Sequence, residues 1–474
     1  MNQRLTSAAV LLQLLWASVG LAELKLPAMF TSGAVLQQGT PVPVWGWAEA
    51  GAEVTVAFAG QSASTVADAE GRWTVRLDAL NMSREPAVLT VASGDSQVAV
   101  ENVLVGEVWF CSGQSNMEWP IARSLLPEHI NPDAHPTIRH IKVPRLRAGE
   151  PADDFQGSWQ VCSSATVRQF TAVGFFFAYS LQQELDVPVG LINCSWGGTR
   201  IEPWIPPDGF DLVDELDAAT LGDTSTMYHG MVAAVQPYAV RGALWYQGES
   251  NGNRGEGESY FWKMKALVGG WRATWKQGAL PFYFVQLANF RQPNSNPAGG
   301  DGWAPLREAQ LKTVQEVPNT GMAVTIDIGE ADDIHPQNKF DVGRRLALWA
   351  LARDYAKEDV VPSGPLLKSA TAEGGTMRIG FDHVGTGLMA ARKQRPRDMS
   401  PPKPVETLQG FAIAGADRQW HWAEARIDAD TVVVSAEAVP EPVAVRYAFS
   451  MNPEKANLYN REGLPASPFR TDDW

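Results

Sequence analysis

The chain has 474 residues and a mass of 51.6 kDa, and it is 45% hydrophobic and 19% charged, a globular composition that excludes wholesale disorder. Its 39 basic and 53 acidic residues leave a net charge of −14, and no long basic tract interrupts that balance, which argues against a nucleic-acid groove or an anionic membrane surface as partner. Three cysteines are too few for a disulfide scaffold, and the length suggests about three domains.

Residues 1–22 read as a signal peptide. Arg4 supplies the positive start, residues 8–21 are mostly apolar but too short to span a bilayer comfortably, and Gly20-Leu21-Ala22 offers small residues before a cleavage at Glu23. The expectation is a secreted or periplasmic protein with no membrane span in the mature chain. Residues 23–100 contain short alternating runs at 42–47, 53–58 and 72–77, separated by turn signals such as Asp68-Ala69-Glu70-Gly71, which predict an N-terminal β-sandwich.

From residue 101 to 359 the rhythm changes. Continuous apolar runs at 103–111, 187–193, 242–246, 281–287 and 322–328 alternate with helix-like segments at 173–185, 260–275, 306–316 and 338–354. That pattern predicts an α/β unit with a parallel sheet buried on both faces, whose sites form at the carboxyl ends of the strands. A linker over 360–365 then introduces a C-terminal β-rich domain, 360–474, with strand-like runs at 376–381, 431–435 and 443–449 and an exposed Pro-rich loop at 394–404. Cys111, Cys162 and Cys194 sit in apolar contexts and read as buried thiols, with a Cys111–Cys194 bridge left open. Most of the 18 Trp fill the core; Trp119, Trp196 and Trp204 flank the polar motifs, where they either wall a pocket or offer platforms to sugar rings.

Four polar motifs follow four of the apolar runs. Ser112-Gly113-Gln114-Ser115-Asn116 places serines at the rim of the sheet, with Gly113 permitting a tight turn, although the Gly-x-Ser-x-Gly elbow is absent. Trp196-Gly197-Gly198-Thr199 frees backbone N–H groups to face an oxyanion, and no Gly-Lys-Ser/Thr follows to make a phosphate loop. In Gln247-Gly248-Glu249-Ser250-Asn251, Gln247 or Asn251 can donate an amide N–H and Glu249 can bind hydroxyls. In Asp332-Asp333-Ile334-His335, an acid three residues before the imidazole can address Nδ1 and leave Nε2 for a serine. Asp333 is the other candidate partner, but its side chain should point away from His335. His129, His135 and His140 read as surface residues, and His229, His383 and His421 lack an acid at this spacing. Together the motifs specify acyl-transfer chemistry. Two other readings are a glycosidase using Glu249, Asp327 and Glu330 as carboxylates, and a non-catalytic carbohydrate-binding protein.

The blocks Gly113-Gln114-Ser115-Asn116-Met117, Trp196-Gly197-Gly198-Thr199, Trp245-Tyr246-Gln247-Gly248-Glu249-Ser250-Asn251 and Asp332-x-x-His335 resemble the sialate O-acetylesterase family of the SGNH hydrolases. So do Leu36-Gln37-Gln38, Leu306-Arg307-Glu308-Ala309-Gln310 and the segment from Asn457 to Asp472. The resemblance implies a flavodoxin-like SGNH core with flanking β domains, acting as a carbohydrate O-acetylesterase without cofactor or metal. It implies Ser115 as nucleophile, His335 as base and Asp332 as its partner; an oxyanion hole from the Ser115 and Gly198 N–H groups and Gln247, with Gly197 the rival of Gly198; and substrate contacts from Asn116, Trp196, Glu249 and Asn251. Gln114 departs from the superfamily's usual Gly-Asp-Ser, and Gln247 stands where Asn is usual. The substrate implied is O-acetylated sialic acid, with Arg200 available to a carboxylate; acetylated plant polysaccharide such as xylan or xyloglucan fits the chain's charge equally well.

Overall fold

The computed structural model describes residues 23–474, so the leader expected over 1–22 lies outside the described residues. At the centre runs one 18-residue strand, Ser96–Gly113. Its first half alternates between exposed and covered positions and pairs antiparallel with Ser83–Ser93. Its second half is buried on both faces and lies between the parallel strands Val189–Ser195 and Gly242–Tyr246. The expected boundary near residue 100 therefore falls inside a continuous strand.

The parallel part of the sheet has the spatial order Thr320–Ala323, Phe282–Val285, Gly242–Tyr246, Ser96–Gly113, Val189–Ser195, Ile138–Lys142, with the short strand Gln160–Val161 antiparallel at the edge. Successive residues of the central strand choose the helices on each side. Trp109 packs its ring 4.7 Å from Phe177 of helix Ala172–Leu185, which lies beside helix Lys339–Asp354. Phe110, on the opposite face, meets Trp271 and Trp275 of helix Gly257–Trp275 at 5.2 and 4.9 Å. Trp109, Trp204, Trp245, Trp271, Trp303 and Trp349 are all fully buried, so aromatic volume fills this core.

Two elements differ from the sequence reading. Ile138–Lys142 is a strand, although its Arg, His and flanking prolines suggest a loop. Its partner Val189–Ser195 supplies the ladder, and tertiary contacts satisfy its polar side chains. Arg139 donates to the carbonyls of Pro136 and Gly33 and to Asn102. His140 is buried and stacked on Phe170, not exposed, and burial pushes its imidazole down to about 3. The run 322–328 is strand only as Thr320–Ala323; the rest is coil leading to the rim of the sheet.

Cys111, Cys162 and Cys194 are buried free thiols. Cys111 lies opposite Asn193 in the ladder and Cys194 opposite Ser112, so the two cysteines point to opposite faces and cannot bridge. After residue 360 the chain forms two four-stranded sheets and one three-stranded sheet. Among the described residues no helix is long and apolar enough to cross a membrane.

Candidate active site

Ser115 begins a single helical turn, Ser115–Glu118, immediately past the carboxyl end of the central strand. The chain can turn there because residue 113 is glycine: its φ is +132°, and a Cβ would stand 2.2 Å from the Tyr246 carbonyl oxygen on the neighbouring strand. The Gln114 carbonyl accepts from the N–H groups of Met117 and Glu118 at 3.0 Å each, while the Ser115 N–H has no partner among the described residues.

The loop after Val189–Ser195 lies against this turn. A Cβ on Gly197 would stand 3.1 Å from the Ser115 Cβ. The Gly197 N–H donates to Glu118 Oε2 at 3.0 Å, whereas the Gly198 N–H has no partner among the described residues. Burial raises the Glu118 carboxyl, but hydrogen bonds from Arg145 and Gly197, with Lys142 nearby, more than offset this and hold it below the usual range. The charged carboxylate thus fastens the glycine loop to the serine turn. Between the two rival glycines, Gly198 keeps a free donor and Gly197 does not.

His335 lies in the loop between Thr320–Ala323 and the last core helix, and its Nε2 is 2.9 Å from Ser115 Oγ. Its ring stacks on Trp119 at 4.2 Å and 11°. Burial lowers the imidazole pKa below the ordinary value of 6.5; Lys339 and Arg123 push the same way and Asp333 opposes them. The ring is therefore neutral at neutral pH and able to accept the hydroxyl proton. The two aspartates are placed contrary to expectation. Asp333 turns toward the histidine, because a tight turn returns its N–H to the Glu330 carbonyl. Its Oδ1 accepts the His335 backbone N–H at 2.8 Å and lies 3.8 Å from Nδ1. Asp332 is exposed, and its carboxylate meets Gln292 Nε2 at 3.5 Å rather than the imidazole.

After Gly242–Tyr246, the side chains of Gln247, Glu249 and Asn251 are buried. Gln247 is wholly buried, and its Nε2 donates to Asn251 Oδ1, Thr199 O and Gln114 Oε1 at 2.8, 3.1 and 3.2 Å. Its two amide hydrogens are thereby committed away from an oxyanion. Asn251, also buried, spends its Nδ2 on Glu202 and Glu256. Asn116 and Glu249 bond each other at 2.5 Å and are 1% and 2% exposed. Of the four side chains expected to touch substrate, only Trp196 reaches the rim, under Arg145 and Arg147. Trp119 also stays partly exposed, and Trp204 is core.

A residue that sequence reasoning passed over stands beside the serine. Gln114 Oε1 faces Gln247 Nε2 and the backbone N–H groups of Ser250 and Gly248 at 3.2, 3.3 and 3.5 Å. Backbone N–H groups only donate, so the amide orientation is fixed and Nε2 points the other way, with no partner among the described residues. The departure from Gly-Asp-Ser was the signal, because an Asp there could not donate.

Residues 105–352 match the family model for carbohydrate esterase, sialic acid-specific acetylesterase. The chain belongs to this family. A solved carbohydrate acetylesterase from Xanthomonas citri is similar over 95% of this chain and 100% of its own, at 42% identity and a TM-score of 0.86. Among named relatives, the Mus musculus sialate O-acetylesterase is 27% identical over 503 residues, 90% of each chain. The Homo sapiens sialate O-acetylesterase is 29% identical over 405 residues, 75% of this chain and 76% of its own. The fold is accordingly an SGNH-type α/β esterase core with added β-sheets, and the protein is a serine carbohydrate esterase, a carboxylic ester hydrolase acting on acetylated carbohydrate.

In this esterase the carboxylates suited to a glycosidase are occupied. Asp327 forms a bidentate pair with Arg345 at 2.6 and 2.7 Å, Glu330 pairs with Arg397, and Glu249 is buried on Asn116. Arg200, the expected anchor for a substrate carboxylate, is held by the Leu221 carbonyl and lies 3.6 Å from both Glu202 and Glu256. Among the described residues no three His, Cys, Asp or Glu side chains form a group that could hold a metal. A cavity of about 660 Å³ lies away from Ser115, between the loop around 293–299 and the C-terminal sheets, with Trp422 at its wall.

Proposed function

We propose that the esterase removes O-acetyl groups from sugars through an acyl-enzyme on Ser115. Ser115 Oγ attacks the acetyl carbonyl as His335 Nε2 takes its proton. The oxyanion forms against the N–H groups of Ser115 and Gly198 and against Gln114 Nε2, which takes the place expected for Gln247. The tetrahedral adduct collapses, the sugar leaves as its alcohol with the proton from His335, and water repeats the sequence on the acetyl ester. The Asp-x-x-His spacing supports Asp332 as the orienting carboxylate. Asp333 Oδ1 is already engaged by a backbone N–H and is too far from Nδ1 for a hydrogen bond. Asp332 is exposed and, among the described residues, engaged only by the long contact to Gln292, so its carboxylate is not committed elsewhere.

The single observation that carries this reading is the 2.9 Å approach of Ser115 Oγ to His335 Nε2, across 220 positions of chain. The test is acetate release by Ser115→Ala, which should be abolished while the variant remains folded; retention of activity would remove the mechanism. The acids are separated by Asp332→Asn and Asp333→Asn. The first should lower kcat more than the second, and the reverse order would move the role to Asp333.

For substrate, the relatives named sialate O-acetylesterase favour an acetylated sialic acid. The engagement of Arg200 and the net charge of −14 favour the second reading, a neutral acetylated polysaccharide such as xylan or xyloglucan. Acetate release from each polymer and from acetylated sialic acid, side by side, decides between them. Export is part of the proposal, and N-terminal sequencing of the mature protein should begin at Glu23.

A further inference from the structure

We propose that Lys339 is a positioning residue, which through Asn116 fixes the histidine loop against the nucleophile. This rests on reading Ser115 and His335 as the reacting pair. Lys339 is the first residue of helix Lys339–Asp354 and is fully buried. Its ammonium is costly there on three counts. It is removed from water, it sits at the positive end of a helix, and among the described residues it has no carboxylate within ion-pair distance. A methionine would fill the same space without these penalties, so the charge has a use.

That use is visible in its hydrogen bond. Lys339 Nζ donates to Asn116 Oδ1. Asn116 Nδ2 in turn donates to the Ile334 carbonyl at 3.0 Å and to Glu249 Oε1 at 2.5 Å. An ammonium only donates and a carbonyl only accepts, so the three partners together permit one orientation of the Asn116 amide. Asn116 directly follows Ser115, and Ile334 directly precedes His335. The bridge therefore clamps the peptide beside the nucleophile to the peptide beside the base. Without the ammonium, Asn116 Oδ1 loses its donor and the bridge is held only from its Nδ2 side, which loosens the loop.

The same charge acts on the imidazole. The charged groups acting on His335 are Lys339 from the helix, Asp333 from its own loop and Arg123 from the segment after the serine turn. Those acting on Lys339 are Glu249, beyond Gly242–Tyr246, and Asp333 and Glu330 from the loop; its ammonium also lies over the Tyr246 ring at 5.3 Å. Burial pulls the Lys339 amine down to about 7, while those three carboxylates oppose the shift. As pH falls through that value the ammonium gains its charge and disfavours protonation of the imidazole.

The experiment pairs Lys339→Met with ¹³C-histidine NMR titration of the whole enzyme, the His335 signal being assigned by its loss in His335→Gln. The expected result is a native melting temperature, a kcat lower by roughly 10-fold with KM within about twofold, the scale for a mispositioned general base, and a His335 titration moved to higher pH. Unchanged kcat overturns the clamp, and an unmoved titration removes the electrostatic role of the ammonium. Should Lys339→Met fail to fold, Asn116→Ala keeps the ammonium and removes the bridge; it should lose kcat similarly, and full activity overturns the clamp. Activity in Ser115→Ala would instead indict the underlying mechanism, and the titration reads the electrostatics independently of it.

Discussion

Gln114 and Gln247 divide the work expected of one amide. Gln247 is saturated below the site and holds Gln114 Oε1, so Gln114 presents Nε2 beside Ser115. Gln114→Ala should lower kcat by about 10²-fold with little change in KM, the usual loss for one oxyanion donor, read in steady-state acetate release. Gln247→Ala should reduce kcat indirectly, and Gln247 shows why a motif does not give side-chain direction: residue type was legible, but satisfaction by Thr199, Asn251 and Gln114 was not. At the same scale, His335 must be neutral to accept a proton. Its pKa is lowered by burial, Lys339 and Arg123, so kcat/KM should rise with pH through a midpoint below 6.5 and level off at neutrality. A midpoint above 6.5 would contradict that environment.

The elements that carry these residues are set by backbone contacts. Gly113 has no space for a side chain and an unfavourable φ for one, so Gly113→Ala should cost about 3 kcal/mol or more, seen as a large fall in thermal midpoint or as insoluble protein. The glycine loop and serine turn are joined by Glu118. Strands and helices around them were readable from apolar runs because both faces of a parallel sheet are buried, which leaves a continuous signal. The strand Ile138–Lys142 was not readable. Its polar residues are satisfied by Gly33, Asn102 and Phe170, which lie on other segments, so nothing local marked it as buried. The aspartates of Asp332-Asp333-Ile334-His335 illustrate the same limit, since a turn closed on Glu330 decides which one faces the ring.

At the scale of the molecule, the β regions are joined to the esterase core. The strand Ser96–Gly113 belongs to both the N-terminal β region and the parallel sheet. Arg307, fully buried in helix Ala304–Glu316, donates to the carbonyls of Leu287 and Ala288 in the core and of Ser450 and Met451 in the C-terminal region, at 2.6–2.9 Å. Ser467 accepts from Gln286, and Arg470 pairs with Glu308. The family-like C-terminal segment is thus a strap on the core. Arg307→Met strands four buried acceptors and should destabilise by roughly 3–5 kcal/mol, measured by urea unfolding. A fragment of residues 101–359 should lack native circular dichroism and acetate release; a fully active fragment would show that the strap is dispensable.

By itself the sequence determined the α/β core, the rim placement of four polar motifs and the esterase chemistry they spell, because apolar periodicity and residue type are local properties. The tertiary structure alone decided that, among the described residues, Gly198 rather than Gly197 keeps an unpaired N–H and Gln114 rather than Gln247 an uncommitted amide nitrogen, that the two cysteines face apart, and that Lys339 reaches Asn116 beside Ser115. Each of those is a question of which partner satisfies a polar group, and the partners are contributed by segments far apart in the chain.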